Sequence, residues 1–335
     1  MGRTGRRRFF KSGATALAAL RLRSGSSTVS ATTLENLGAA SRPPASAEGP
    51  ADSARPFKLG LVTYELAKDW DVETIIKNCE ATGFEGVELR TTHRHGVEPT
   101  ISKQRREEVR KRFEGSAVRL VSLGSTCSYQ SADPAEVEKN IETTRAFVEL
   151  ARDLGCMGMK VRPNGFPKGV PHEKTLDQIG RALAKCGDIA RDNGVEIWVE
   201  IHGEGTEDPA NIRRIMDVAN HPSVGLCWNS NDTDVEEGSV AKSFDLLKNW
   251  LRSCHINELW RAPAPWGVPL RGTGQPSEKT TPGFPSYAKP YPYHELFQLF
   301  RGANFSRYTF CEIPASAEPL RLMRYYRALW QWLAA

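Results

Sequence analysis

The sequence predicts an α/β protein built as a (β/α)₈ TIM barrel, a single domain behind an N-terminal signal and linker. Three observations carry that prediction. From Phe57 onward short apolar strand patterns alternate with helical ones, the order that builds parallel sheets. The alternation gives eight strand–helix units in about 280 residues, the count and size of such a barrel. No glycine-rich dinucleotide fingerprint follows the first strand, which disfavours the doubly wound open sheet, the competing arrangement.

The elements follow in order. Residues 58–64 form an apolar strand pattern, 72–81 a helical one, and after Gly83 a second strand runs over 86–90. The stretch 104–112 is so rich in Arg, Glu and Lys that it reads as the solvated face of a helix. Further strands fall near 118–123, 158–162, 195–202, 224–229, 253–257 and 307–313. Helical stretches at 134–154, 173–192, 209–219, 240–250, 293–301 and 320–333 complete the set. The pairs Asp133-Pro134 and Asp208-Pro209 supply an N-cap followed by proline at the first helical position, and Gly83, Gly155 and Gly194 follow helix ends.

Residues 1–56 are a separate object. Arg6-Arg7-Arg8-Phe9-Phe10-Lys11 resembles the twin-arginine export motif, with a mildly apolar stretch from Gly13 to Leu20 and an Ala/Pro/Ser-rich linker behind it. Export by the twin-arginine translocation machinery to the periplasm or outside the cell is the expectation. A mitochondrial presequence competes, because no acidic residue precedes Glu35; a basic tail on a cytoplasmic protein is the plain alternative. The formal charge of +5 owes much to this segment, which holds Arg3, Arg6, Arg7, Arg8, Lys11, Arg21 and Arg23, so charge makes no case for a nucleic-acid partner. No apolar run is long enough to span a membrane. The seven cysteines are scattered, odd in number and free of any CxxC, and read as small core residues.

Strand alternation turns the barrel into a site prediction. In residues 196–202, Ile197, Val199 and Ile201 share the face that packs under the outer helices, so Glu200 and His202 point inward at the C-terminal end. Ionisable groups inside a barrel are costly unless paired, and the C-terminal mouth is where such folds place function. The same period brings Asn229, His255 and Glu312 inward on the next three strands. Two carboxylates, an imidazole and an amide oxygen suit one divalent ion, Mn²⁺, Mg²⁺, Co²⁺ or Zn²⁺. Singly, each has a plain reading as a satisfied core or turn residue; their coincidence at successive strand ends favours the metal. Glu88, Lys160, Arg162 and His202 also alternate inward and are candidate substrate contacts, with a pairing of Lys160 or Arg162 to Glu88 as the structural alternative.

Across residues 57–335 the chain resembles the xylose-isomerase-like TIM barrels, the sugar phosphate isomerase/epimerase superfamily. The resemblance implies one divalent metal on Glu200, Asn229, His255 and Glu312, with Glu200 and Glu312 as the acid/base pair. Arg261, six residues after His255, stands where ketose 3-epimerases of the family hold substrate hydroxyls. Asn229 stands where the family usually has Asp, which leaves one negative charge fewer at the ion. The implied chemistry is removal of a proton beside a carbonyl, with charge on the resulting enediolate stabilised by the metal. A sugar isomerase or epimerase is the expectation. Elimination from a 3-keto-glycoside by the same proton abstraction is the sibling reading, and export fits glycosides better than sugar phosphates. An endonuclease-IV-like phosphodiesterase would need a histidine-rich three-metal cluster, and a non-catalytic sugar-binding barrel is the remaining alternative. The segment 265–290, rich in Pro and Gly, is longer than most connections after a strand. It reads as a lid or a subunit contact in a homo-oligomer, with Trp266, Tyr287 and Tyr291 available to stack on a sugar; a tolerated insertion is the alternative.

Overall fold

Eight parallel strands pair in chain order and close on themselves: β1 (Lys58–Val62), β2 (Gly86–Arg90), β3 (Arg119–Gly124), β4 (Gly158–Val161), β5 (Glu196–Glu200), β6 (Val224–Asn229), β7 (Leu251–Ile256) and β8 (Tyr308–Glu312). Helices α1 (Val72–Thr82), α2 (Lys103–Glu114), α3 (Pro134–Leu154), α4 (His172–Asp192), α5 (Pro209–Ala219), α6 (Ala241–Leu247), α7 (Tyr293–Gly302) and α8 (Pro319–Ala334) alternate with them. This is the TIM barrel expected from the sequence. The computed structural model describes residues 56–257, 259 and 291–335; the twin-arginine-like motif, the linker up to residue 55, Arg261, Trp266 and Tyr287 lie outside them. No described helix is long and apolar enough to cross a membrane.

The period-two pattern divides the core in two. Leu59, Leu61, Val87, Leu89, Ile197, Val199, Leu226, Cys254, Ile256 and Cys311 face the helices. Inside the barrel Val62, Val121, Trp198, Cys227, Tyr308 and Phe310 pack on one another. Such bulky rings fit because glycine stands opposite them: a Cβ on Gly60 would lie 2.3 Å from the Phe310 ring, and one on Gly158 would lie 2.4 Å from Trp198. At the lower end Arg307 bridges to Glu196 at 2.7 Å, and Glu196 also accepts from the Trp198 indole at 2.8 Å. All seven cysteines are buried and unbridged, as small core residues.

Local chemistry explains the helix limits. Asp133 and Asp208 accept hydrogen bonds from the backbone N–H groups of Ala135 and Ala210, with proline at the first helical position, and Gly83 and Gly155 close α1 and α3. Helix α2 buries only Val109 and Phe113, as its charge run requires. One expectation needs correction. The helix expected over 240–250 stops at Leu247, tightens into a 3₁₀ turn over Lys248–Trp250, and β7 begins at Leu251, two residues before the expected strand. Leu251 is buried and follows Trp250 directly, with no Gly or Pro between helix and strand, so the sequence offers no marker for the boundary.

Candidate active site

Strands β5 to β8 bring Glu200, Asn229, His255 and Glu312 together at the C-terminal mouth. His255 Nδ1 lies 3.2 Å from Glu200 Oε1 and 3.7 Å from Glu312 Oε1. One donor atom from each of these three residues falls within 4.8 Å of the others. Asn229 pairs in register with His255, which sets its amide beside the imidazole strand. Its Nδ2 donates to Asn231 Oδ1 at 3.3 Å, while its Oδ1 is buried with no hydrogen-bond partner. Two carboxylates, one imidazole nitrogen and an amide oxygen left without a donor are the mixed O/N set that a divalent cation completes.

The other face of His255 is held by Glu88. Glu88 Oε1 stands 3.3 Å from His255 Nε2, and its Oε2 accepts from the Ser122 hydroxyl at 2.9 Å. The 3.3 Å approach is an ion-pair distance without hydrogen-bond geometry, and it leaves Nδ1 on the side of Glu200 and Glu312. Glu88, a candidate substrate contact, is 0% exposed and sits beside the imidazole of His255. Lys160 is also buried, and it donates from Nζ to Glu200 Oε2 at 2.5 Å instead of reaching Glu88. It anchors one carboxylate oxygen and leaves Oε1 to face His255.

Burial and pairing push the two glutamates apart. Burial alone would raise Glu200, but Lys160 and then His255 outweigh it and hold the carboxyl well below the usual range. Glu312 has no such anchor; burial raises it, and the Glu200 charge adds to the rise against the opposing pull of His255. Burial would strip the proton from Lys160, yet Glu200, Glu88 and Glu312 together keep its ammonium. Burial also opposes a charge on His255, and the Cys227 sulfur and Glu88 beside it reverse that effect.

Toward the opening, His202 is half-buried with Nδ1 unpartnered, and the Arg162 Nε is buried without a partner. Burial lowers the proton affinity of His202; Glu200 opposes this, and Arg162, Lys160 and Arg90 reinforce it. Arg90 and Tyr64 join the site without having been singled out from the sequence. The Arg90 guanidinium lies 5.3 Å from the Tyr64 ring centroid, and Tyr64 is raised by burial first and by Glu312 second. The signal for Arg90 was present, since it follows inward Glu88 by two residues. The role of Ser122 had none, because a register shift between Val87 and Glu88 sets it opposite the carboxylate. Tyr291, expected to be available for stacking on sugar, is instead fully buried, donating to Asp234 at 2.9 Å and accepting from the Trp228 indole at 3.0 Å. An open cavity of about 500 Å³ lined by Ser128, Gln130, Asn140 and Phe166 lies on the loops after β3 and β4 and includes none of the clustered residues. Chemistry rather than cavity volume locates the site.

A closed parallel barrel with a buried Glu–His–Glu cluster at its mouth defines the class of protein. The chain belongs to the xylose isomerase-like TIM barrel family, whose model matches residues 76–334. Among solved structures it is similar to a 3-keto-D-glucoside 4-epimerase from E. coli, at 15% identity and a TM-score of 0.62 over 83% of this chain and 98% of that one. It is also similar to D-psicose 3-epimerase from Clostridium cellulolyticum H10, crystallised with D-tagatose, at 13% identity and a TM-score of 0.65 over 83% and 99%. A third is the IolI protein with a bound zinc atom, at 16% identity and a TM-score of 0.60 over 82% and 96%. At these identities the likeness is one of fold. Among curated protein sequences none matches significantly.

Proposed function

We propose that the protein is a divalent-metal-dependent sugar isomerase or epimerase that moves a proton at the carbon beside a carbonyl. The observation that carries this reading is the convergence of Glu200, His255 and Glu312 at the mouth, with one donor atom from each within 4.8 Å of the others. Two of the similar structures are of sugar epimerases and a third holds zinc, which supports both the substrate class and the cofactor.

Glu200, Asn229, His255 and Glu312 would hold the ion. When bound, it supplies positive charge that stabilises negative charge developing on the substrate oxygens. Everything else is done by the chain. Glu88 fixes the His255 ring and Lys160 fixes the Glu200 carboxylate, so neither group must reorganise when charge develops. Glu200 and Glu312, on neighbouring sides of His255, would form the acid/base pair, one removing the proton and the other returning it. Arg261, by the resemblance to the ketose 3-epimerases, would bind substrate hydroxyls. A 3-keto-glycoside lyase is the second reading, favoured by the keto-glucoside epimerase among the similar folds, since the same proton abstraction can expel a glycosidic oxygen. Export by the twin-arginine route is part of the proposal and rests on Arg6 and Arg7.

Deuterium exchange tests the reading. The metal-loaded chain in deuterated water should place solvent deuterium at the carbon beside the carbonyl of its ketose, or release an aglycone with loss of that hydrogen. Glu312→Gln, with metal content measured in the same sample, should slow this by roughly 10²–10⁴-fold, the usual worth of a general base. Undiminished exchange in that variant removes Glu312 from the mechanism.

A further inference from the structure

The ligand cluster occupies strands β5 to β8, and the opposite side of the mouth has a different character. Arg90 ends β2, Arg162 follows β4 and His202 follows β5. The Arg162 side chain has an unpartnered, buried Nε; its backbone N–H is spent on Cys127 O at 3.0 Å. Arg90 lies over the Tyr64 ring, a contact that uses the guanidinium face. Among the described residues neither arginine has a carboxylate within salt-bridge distance, whereas Arg106 has Asp153 and Arg307 has Glu196. His202 adds a second buried nitrogen without a partner.

The charge balance points the same way. Glu88, Glu200 and Glu312 are matched by Lys160, Arg90 and Arg162, and the three carboxylates are already engaged by Lys160, His255 and Ser122. Among the described residues, a divalent ion on the cluster would add to the positive charge of Lys160, Arg90 and Arg162, an excess of that sign. A neutral sugar would leave that excess in place, whereas a carboxylate or phosphate would offset it and present the planar or tetrahedral oxygens that a guanidinium fork binds in pairs.

We infer that the substrate of this site carries an anionic group, a carboxylate or a phosphate, bound by Arg162 with Arg90 beside it. Its reacting carbonyl lies toward β5 to β8 and its charged end toward β2 and β4. The inference rests on the sugar-processing reading of the mouth and narrows it to sugar acids or sugar phosphates.

Equilibrium binding tests it apart from turnover. D-glucose, D-glucuronate and D-glucose 6-phosphate share one ring and differ in the charge at carbon six. The metal-loaded full chain should bind at least one of the two anions about 10–100-fold more tightly than glucose, the worth of one charge-assisted contact in a partly buried site. Preference for glucuronate assigns a carboxylate, and preference for the phosphate ester assigns a phosphoryl group. Arg162→Met and Arg90→Met should each cut that preference, and the double variant should abolish it. Equal binding of all three sugars, no binding of either anion at millimolar concentration, or a preference that survives the double variant overturns the inference. A preference that disappears in the double variant, alongside absent deuterium exchange on every ketose, would keep this assignment and remove the proposed proton transfer instead.

Discussion

Asp234 lies in the turn after β6, fully buried, with Oδ2 accepting from the Tyr291 hydroxyl at 2.9 Å and from the Asn231 N–H at 3.0 Å. Its Oδ1 meets no partner. Burial pushes the carboxyl up to about 8, against the hydrogen bonds from Tyr291 and Asn231. The folded state therefore keeps a proton that the unfolded chain releases near pH 4. The stabilising contribution is complete below that pH and is lost as pH rises through about 8, with a slope of at most about 1.4 kcal/mol per pH unit. Asp234→Asn preserves the shape and the accepting oxygen without the titration. The variant should gain stability relative to the parent between pH 6 and pH 9, measured by urea denaturation across that range; parallel curves for the two proteins would show that Asp234 is ionised in the fold. This residue also marks how far single side chains can be read. Glu200, Asn229, His255 and Glu312 were legible because each is a polar break in an apolar strand. The burial of Tyr291 and the seat of Glu88 behind His255 were not, because they depend on partners 57 and 167 positions away in the chain.

Elements were legible wherever the period was clean. In β5 the alternation of Ile197 and Val199 with Trp198 and Glu200 separates helix-facing from inward residues without ambiguity, and β8 behaves alike. Two register shifts, between Val87 and Glu88 and between Leu226 and Cys227, have no counterpart in the pattern, since a bulge changes pairing without changing residue type. Close packing between strands is equally silent until the rings are placed. Gly158 on β4 faces Trp198 on β5, whose indole is fixed by Glu196 and by the Arg307 guanidinium 5.9 Å from its ring. Gly158→Ala should cost about 1–3 kcal/mol by overpacking, read as a lower denaturation midpoint with an unchanged slope. Because β4 carries Lys160 two residues on, the same variant should weaken metal binding. Parent-like stability would mean that Trp198 has room to move.

At the scale of the whole molecule, the site and the fold are coupled through the ion that the cluster would hold. The unfolded chain presents no convergent ligands, so an ion bound to the folded barrel adds stability by mass action, about 2.7 kcal/mol at a hundredfold excess over Kd. The barrel does not depend on it as a zinc finger does. Its inner core of Val62, Val121, Trp198, Cys227, Tyr308 and Phe310 is packed without any ion, and Lys160 and His255 still engage Glu200 in its absence. Chelation should therefore leave a folded, cooperatively unfolding protein whose Tm is lower by several degrees, and restoring about one divalent ion per chain should reverse the loss. His255→Ala removes the central ligand, so its Tm should no longer respond to metal, and it should fall below that of the chelated parent because Glu88 and Glu200 lose their buried partner. Calorimetry of the two proteins with and without chelator, with metal content measured in each, decides the matter. A His255→Ala variant that keeps both the ion and the metal-dependent shift would place the binding site elsewhere in the molecule.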